Sequence, residues 1–528
     1  MSLDDRVVIV IGSGIEELVA AADLARAGFR VTMLERGETP GGPAAGEEIL
    51  PGFRVDPVFS DAGYLPAGAV RDLELEEHGV ELLRPDPVLA APAGAGGALV
   101  LWQDPEKSRI SIARRSTADA DRWSGFVERI ASFAEILEAL GSRPPIRPAG
   151  PLRELAPYLG VGRQVRSLGG ARMAELFRML PMPAYDLLDD AFDDELLKGT
   201  LAALAVRGVF QGPRSPCTSL VLLHHQVGSP IGVFGPRAIV RGGVDALVTA
   251  LASIVAERGV KIRCGAEVAR IMIEKGRAVG VSLEGGEEVA ARAVLSGSDP
   301  ARTFLGLAGA QHLDPDFVHA VRQIRFRGGY ARVHMALSEA PRFEGLADAP
   351  EGSLVFAPGP DAVERAYDDA KHGSVSACPV LVARVPSLAD PSLAPSGRHV
   401  MSVDVRFVPL GGAHRTGNGA SAEALGDRVV ALLADHAPNL PGAILGRRVL
   451  TPTDLTARYD LTGGDPFQGE LALDQLLFMR PVPGWARYRT PIQGLYVCGP
   501  GTHPAGAITG ASGRHASNAI HDDLERTR

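Results

Sequence analysis

The chain opens on an unbroken apolar run, Val7-Val8-Ile9-Val10-Ile11, whose β-branched residues and lack of polar alternation predict a strand buried on both faces. A helix-forming segment follows from Leu18 to Ala27, and Val31-Thr32-Met33-Leu34 predicts a second strand, so the opening reads as a βαβ unit. Further on the period changes. Between residues 116 and 204 the pattern is mostly helical: Trp123, Phe126, Ile130, Phe133, Ile136 and Leu137 recur at three- and four-residue spacing, until Gly141-Ser142-Arg143-Pro144-Pro145 interrupts them. A second helical block covers residues 187–197. Residues 244–257 are again helical, after which 260–263, 266–273, 278–283, 332–337 and 399–405 read as strands. The final apolar run, residues 494–498, predicts a buried strand, and residues 505–514 open a terminal helix.

The turn between the first strand and helix carries the first chemical signal. Gly12-Ser13-Gly14 supplies the tight turn and the close backbone approach that a diphosphate requires, but the third glycine of a dinucleotide-binding turn is replaced by Glu17. A carboxylate there adds bulk to the helix–strand contact and negative charge near a helix N-terminus that would otherwise attract phosphate. Glu35 lies 21 residues beyond Gly14, near the spacing at which an acidic residue binds the ribose hydroxyls of NAD or FAD, and Arg36 and the pair Gly41-Gly42 follow. The alternative for this stretch is an ordinary βαβ unit with a glycine-rich loop and no ligand.

At the other end, Cys498-Gly499-Pro500-Gly501-Thr502-His503-Pro504 forms a glycine-rich turn leading into Ala505-Gly506-Ala507-Ile508-Thr509-Gly510. Small residues at that helix start would let backbone approach a flat ring, and the helix dipole would stabilise negative charge on a reduced flavin.

With these residues the chain resembles the phytoene desaturase and carotenoid isomerase group of FAD-dependent oxidoreductases, in particular its branch of pyridine nucleotide-disulphide oxidoreductase domain-containing protein 2. The resemblance runs almost end to end. It includes Gly212-Pro213-Arg214-Ser215-Pro216, Leu222-Leu223-His224-His225, the stretch from Val240 to Leu247, Ser296-Gly297-Ser298-Asp299-Pro300, Gly464-Asp465-Pro466-Phe467-Gln468-Gly469, Leu473-Asp474-Gln475-Leu476 and Arg480-Pro481-Val482-Pro483. It implies an α/β fold: a Rossmann-like FAD-binding domain of the amine-oxidase type with an inserted α+β substrate domain. The cofactor domain would take residues 1–105, 239–305 and 451–528, and the substrate domain residues 106–238 and 306–450. By the same resemblance Gly12, Ser13, Gly14, Glu35, Arg36, Gly41 and Gly42 would hold the adenosine and diphosphate, and the Val268 backbone would meet the adenine. Gly499, Gly501, Ala507, Ile508 and Thr509 would surround the isoalloxazine.

Three positions depart from the family pattern: Glu17, Pro43 in place of the basic residue after Gly-Gly, and Asp56-Pro57-Val58 in place of an Asp-Leu-Gly-like stretch. Glu17 adds a negative charge, while Pro43 removes a positive one and a backbone N–H. The expectation is FAD held weakly or lost, set against local drift with compensating contacts elsewhere.

A net charge of −9 and no basic patch argue against a nucleic-acid partner. Cys217, Cys264, Cys378 and Cys498 are scattered, which points to a reducing compartment and no structural zinc. The N-terminus lacks a basic leader segment and no window is long and apolar enough to span a bilayer, so the expectation is a cytoplasmic location. The apolar stretch from Phe177 to Tyr185 is of a kind that could dip into lipid as a peripheral membrane contact; the ordinary alternative is a helix end packed under the substrate domain. The oligomeric state is not readable.

Flavin chemistry asks little of the protein beyond orientation, exclusion of water and at most one base. His224, His225 and His503 are the candidates for proton transfer. His503, in the glycine-rich turn, is the leading catalytic candidate, while His224 and His225 sit in a helix-like run beside leucines. Asp189, Asp190, Asp193 and Asp194 are expected on one helix as a solvated face, and no metal site is expected. The reading is an FAD-dependent oxidoreductase carrying out dehydrogenation or flavin-mediated isomerisation of a hydrophobic polyene or isoprenoid-like small molecule. The alternative is a flavin-free homologue that isomerises, cyclises or binds an apolar ligand without a cofactor. An amine oxidase is disfavoured because three Trp and eight Tyr leave little for an aromatic cage.

Overall fold

In the computed structural model of the chain, the opening run forms strand β1 (Val7–Ile11) and leads through Gly12-Ser13-Gly14 into α1 (Ile15–Arg26) and β2 (Arg30–Leu34). A helical layer follows with α2 (Thr117–Gly141), α3 (Leu159–Ser167), α4 (Gly169–Met179) and α5 (Thr218–Gln226). Next come α6 (Val244–Glu257), β3 (Lys261–Arg263) and β4 (Ala293–Ser296), and the chain closes with β5 (Leu495–Val497) and α7 (Ala511–Glu525). The structure describes residues 6–526 apart from 60, 62, 95–96, 147–151, 236–238, 412–421 and 507–509.

Five strands form a parallel sheet in the order β5-β4-β1-β2-β3. Its register pairs Val8 with Ala293 and with Val31, and Leu295 with Tyr496. Helices α1, α6 and α7 cover one face, where Val8, Val10, Met33, Leu247, Leu251 and Ile520 share a core. The antiparallel meander Val268–Glu274, Arg277–Leu283 and Glu288–Ala290 covers the other, packing against Ile9, Ile11 and Leu34. Because both faces are covered, every second residue of β1 cannot be polar, and this is the origin of its unbroken apolar run. The fold is α/β, a Rossmann-like domain joined to a mostly antiparallel sheet.

That second sheet has seven strands, in the order Ile444–Leu450, Tyr330–Leu337, His399–Arg406, Leu381–Arg384, Ser353–Phe356, Leu89–Pro92 and Ala98–Leu101. The predicted strands around Val333 and Val403 are direct antiparallel neighbours, with Val333 opposite Val403. Leu89–Pro92 and Ala98–Leu101, early in the chain, extend this sheet and not the parallel one, because their apolar residues find partners on Ser353–Phe356 and under α2.

The apolar stripe of α2 is buried as predicted: Trp123, Phe126, Ile130, Phe133 and Ile136 form the helical core with Phe192 and Phe234. Phe126 and Phe192 meet edge to face with ring centroids 4.9 Å apart, a favoured aromatic geometry. The four aspartates do not lie on one helix. Asp189 ends the helix Ala184–Asp189 and Asp194 caps Glu195–Ala205 by accepting from Leu197 N–H, and each of the four pairs with a cation: Lys198, Arg178, Arg122 and Arg115 in chain order. Among the described residues no helix is long and apolar enough to cross a membrane.

Candidate functional site

The C-terminal edges of β1, β2 and β4 open into a cavity of about 520 Å³. Gly12, Ser13, Gly14, Glu35, Arg36, Gly41, Gly42 and Val268 all line it, brought together from the βα turn, the end of β2, the loop after it and the first meander strand. The Glu35 carboxylate accepts from Ser13 N–H (3.0 Å), Ser13 Oγ (2.6 Å) and Gly37 N–H (2.8 Å), so the acidic residue at the ribose position is held in place by the turn. Arg36 pairs with Asp460 at 2.9 Å across the cavity rim, and Arg302 meets the same carboxylate at 2.9 Å. Gly41 and Gly42 have φ of 115° and 51°, and a Cβ on Gly42 would meet nothing within 4 Å: its backbone faces open space, as a diphosphate contact needs.

Two consecutive carboxylates change the picture of this turn. Glu16 lines the nucleotide cavity, and its two oxygens accept from Gly510 N–H (2.8 Å) and Gly513 N–H (2.9 Å) and so cap the N-terminus of α7. The helix end expected to stabilise a reduced flavin is thus already satisfied by a carboxylate. Glu17 is buried, with its side chain folded against Gly12, Gly14 and Gly297 and its Oε1 accepting from the Cys498 thiol at 3.4 Å. Burial first, and then the Glu16 charge, push its pKa up to about 7. Glu17 is therefore a half-neutral packing residue and not a full charge aimed at phosphate. Space for it comes from Gly297, where a Cβ would overlap the carboxylate.

Gly499 and Gly501 stand beside this cavity without lining it; Pro500, between them, does so. Gly501 N–H donates to Gln468 Oε1 at 2.9 Å, and Gln468 Nε2 donates to the Gly297 carbonyl at 3.1 Å, so one glutamine ties the C-terminal turn to the end of β4. Gly499 N–H donates to Ser512 Oγ at 2.9 Å. Ala507, Ile508 and Thr509 lie outside the described residues.

A second cavity, of about 410 Å³, is lined from the C-terminal turn by His503, Pro504, Ala505 and Gly506. Ile136, Leu137, Leu140, Val161, Val165, Leu176, Leu180, Leu220, Leu476 and Leu477 give it an apolar wall drawn from α2, α3, α4, α5 and the 473–477 loop. His224, His225 and His503 all line it. His503 is fully buried, and burial first, with His515 second, pushes its pKa down to about 4. Its ring faces the Leu140 and Arg143 carbonyls but makes no well-formed hydrogen bond. It is neutral at physiological pH, and burial opposes its taking up a proton. His225 Nε2 lies 2.8 Å from the Arg207 carbonyl, a structural tie, and Asp61, Glu138 and Arg207 also line the cavity. Gln468, Glu16, Asp61 and Arg207 were not singled out from sequence; none sits in a motif whose spacing announces its partner. Asp474 and Gln475, given no role there, bind Arg325: Asp474 as an ion pair at 2.7 Å and Gln475 by accepting from its backbone N–H at 2.8 Å.

Comparison with known proteins agrees with this arrangement. Residues 166–521 match the family described as flavin containing amine oxidoreductase, and residues 10–60 match an NAD(P)-binding Rossmann-like domain. The mouse protein named pyridine nucleotide-disulfide oxidoreductase domain-containing protein 2 is 35% identical over 98% of this chain and 93% of its own length. A neurosporene-forming phytoene desaturase of Cereibacter sphaeroides is 26% identical over 96% and 92% of the two chains. Among solved structures, cyclohexylamine oxidase from Brevibacterium oxydans superposes with a TM-score of 0.61 at 14% identity over 99% of this chain and all of that one, which shows a shared fold. With its dinucleotide turn, its parallel sheet and its C-terminal glycine turn in one assembly, the chain belongs to the flavin-containing amine oxidoreductase family.

Proposed function

We propose that the protein is an FAD-dependent oxidoreductase that dehydrogenates or isomerises a hydrophobic, polyene or isoprenoid-like substrate held in the 410 Å³ cavity. The observation that carries this is that the C-terminal turn contributes to two cavities, Pro500 to the one lined by the Gly12–Gly14 and Gly41–Gly42 turns and His503 to Gly506 to the one walled by leucines. FAD, when bound, supplies the two-electron acceptor that an unactivated C–H bond requires. The chain's own contribution is positional. Glu35, fixed by Ser13 and Gly37, would accept from ribose hydroxyls; the Gly12–Gly14 and Gly41–Gly42 backbones would face the diphosphate. The leucine wall excludes water and orients the substrate, and neutral His503 would hold a proton at a ring nitrogen.

We also propose peripheral contact with a membrane through α3 and α4. Leu159 and Phe177 are about three-fifths exposed (60% and 61%), while Leu176 and Leu180 next to Phe177 face the apolar cavity, which supports a route from lipid to the site.

The flavin-free alternative draws on one observation, the Glu16 carboxylate already occupying the α7 N-terminus. An absorption spectrum of the purified protein with and without added FAD separates the two. Flavin recovered in excess FAD, with turnover of an apolar substrate following occupancy, supports the oxidoreductase. Absence of bound flavin at millimolar FAD, with an apolar ligand still retained or converted, overturns it.

A further inference from the structure

Asp61, Glu138 and Arg207 line the apolar cavity among its aliphatic side chains. Arg207 and Asp61 also belong to a cluster with Arg332, Arg384, Arg406 and Asp404. Asp61 accepts from Arg384 at 2.9 Å and more distantly from Arg207 at 3.4 Å; Asp404 pairs with Arg332, its cross-strand neighbour, and with Arg406 at 3.7 Å. The six form one electrostatic unit. Burial opposes ionisation of Asp404, yet Arg332, Arg406, Arg207 and Arg384 together outweigh it and hold its carboxyl below the ordinary range. Asp56, which accepts from Val244 N–H at 2.9 Å, is coupled to Arg332 and Arg384, and burial pushes it up to about 7. His334, on the Arg332 strand, is held neutral first by burial and then by Arg332. A guanidinium with few partners is costly to bury, and hydrocarbon is the least suitable neighbour for it.

Only one of the four arginines lines the cavity. Arg207 has 23% of its side chain accessible, whereas Arg332, Arg384 and Arg406 are buried. Among the described residues, the Arg207 guanidinium makes one side-chain hydrogen bond, the long one to Asp61, so most of its five donors are left for another acceptor. Its backbone is anchored by His225, whose ring lies 6.3 Å from that of Phe467.

We propose that the cavity takes a substrate with an elongated apolar body ending in a carboxylate, and that Arg207 is the receptor for that carboxylate. The proposal rests on the cavity being the substrate site and narrows its substrate class. A guanidinium fork matches a carboxylate in charge and geometry, and one accessible fork suits a single anion and not a diphosphate.

The test is calorimetric titration of the FAD-treated protein with decanoate and, separately, decan-1-ol, with flavin content read by absorbance in every sample. Wild type should bind decanoate at least about tenfold more tightly than decanol. Arg207→Gln should reduce decanoate to the level of decanol without moving decanol, and Arg207→Lys should restore most of the preference. Arg384 keeps Asp61 paired in both variants, and a thermal melt checks that they fold. Equal affinity of wild type for the two ligands, or a preference that survives Arg207→Gln, overturns the proposal. So does a change in flavin content or spectrum on Arg207→Gln with the preference intact, which would assign the residue to the cofactor. Carboxylate selectivity without any bound flavin would leave this inference standing and remove the oxidoreductase reading.

Discussion

The two cavities of this protein are built by different physics. The nucleotide cavity is made of backbone: Gly12, Gly14, Gly41 and Gly42 expose peptide groups, and one side chain, Glu35, is clamped by the turn that it serves. The apolar cavity is made of side chains delivered by four helices and a loop, with Asp61, Glu138 and Arg207 among them. Backbone recognition demands particular residues at particular spacing; an apolar wall demands only bulk. The first kind of site therefore leaves a motif in the chain, and the second leaves almost none.

The contrast can be broken from either side. Trp123→Ala, in the core behind the apolar cavity, should lower unfolding free energy by about 3–5 kcal/mol, read as a shifted urea midpoint, while the FAD dissociation constant of the folded protein stays within about twofold. A matching loss of FAD affinity would show that the two sites are one cooperative structure. Glu35→Ala should act oppositely, weakening FAD by roughly 30- to 1,000-fold in an absorbance titration through lost charged hydrogen bonds, with little change in apolar ligand binding. Unchanged FAD affinity would remove Glu35 from the ribose site.

Glu17 offers a finer probe. Its folded pKa of about 7 lies above the ordinary 4.5, so the folded state holds the proton more tightly than the unfolded chain. The stability this contributes is complete below pH 4.5 and is lost as pH rises through 7. Because ionisation also places charge beside the diphosphate position, FAD affinity should fall by about three- to tenfold between pH 6 and 8, and Glu17→Gln should flatten that dependence. A wild-type profile already flat would mean the carboxylate is shielded from the cofactor. The smallest effect is expected at His503: because it is neutral and buried, His503→Gln should lower turnover by no more than about tenfold and leave FAD affinity unchanged. A far larger loss in turnover would make it the essential proton acceptor.

Much of the architecture was legible from periodicity. The strand at residues 7–11, the α2 stripe from Trp123 to Ile136 and the paired strands around Val333 and Val403 all follow from apolar spacing that only one element type can bury. The charge argument about Glu17 was not secure in the same way. An acidic residue in a phosphate-binding turn looks repulsive on paper, but its effect depends on where the carboxylate points and how dry its surroundings are, and here it folds against Gly297 and the Cys498 thiol.

Local sequence by itself determined the glycine-rich turn after β1 and the helical and strand segments, because each rests on backbone conformation or on short-range periodicity. Tertiary structure alone decided that Glu16 would cap a helix nearly 500 residues away, that Gln468 would join β4 to the C-terminal turn, and that Arg207 would meet Asp61 in the lining of an apolar cavity. These are single side-chain contacts between distant segments. They carry no period and need no fixed spacing, and their partners are defined only once the two sheets and the helical layer have packed.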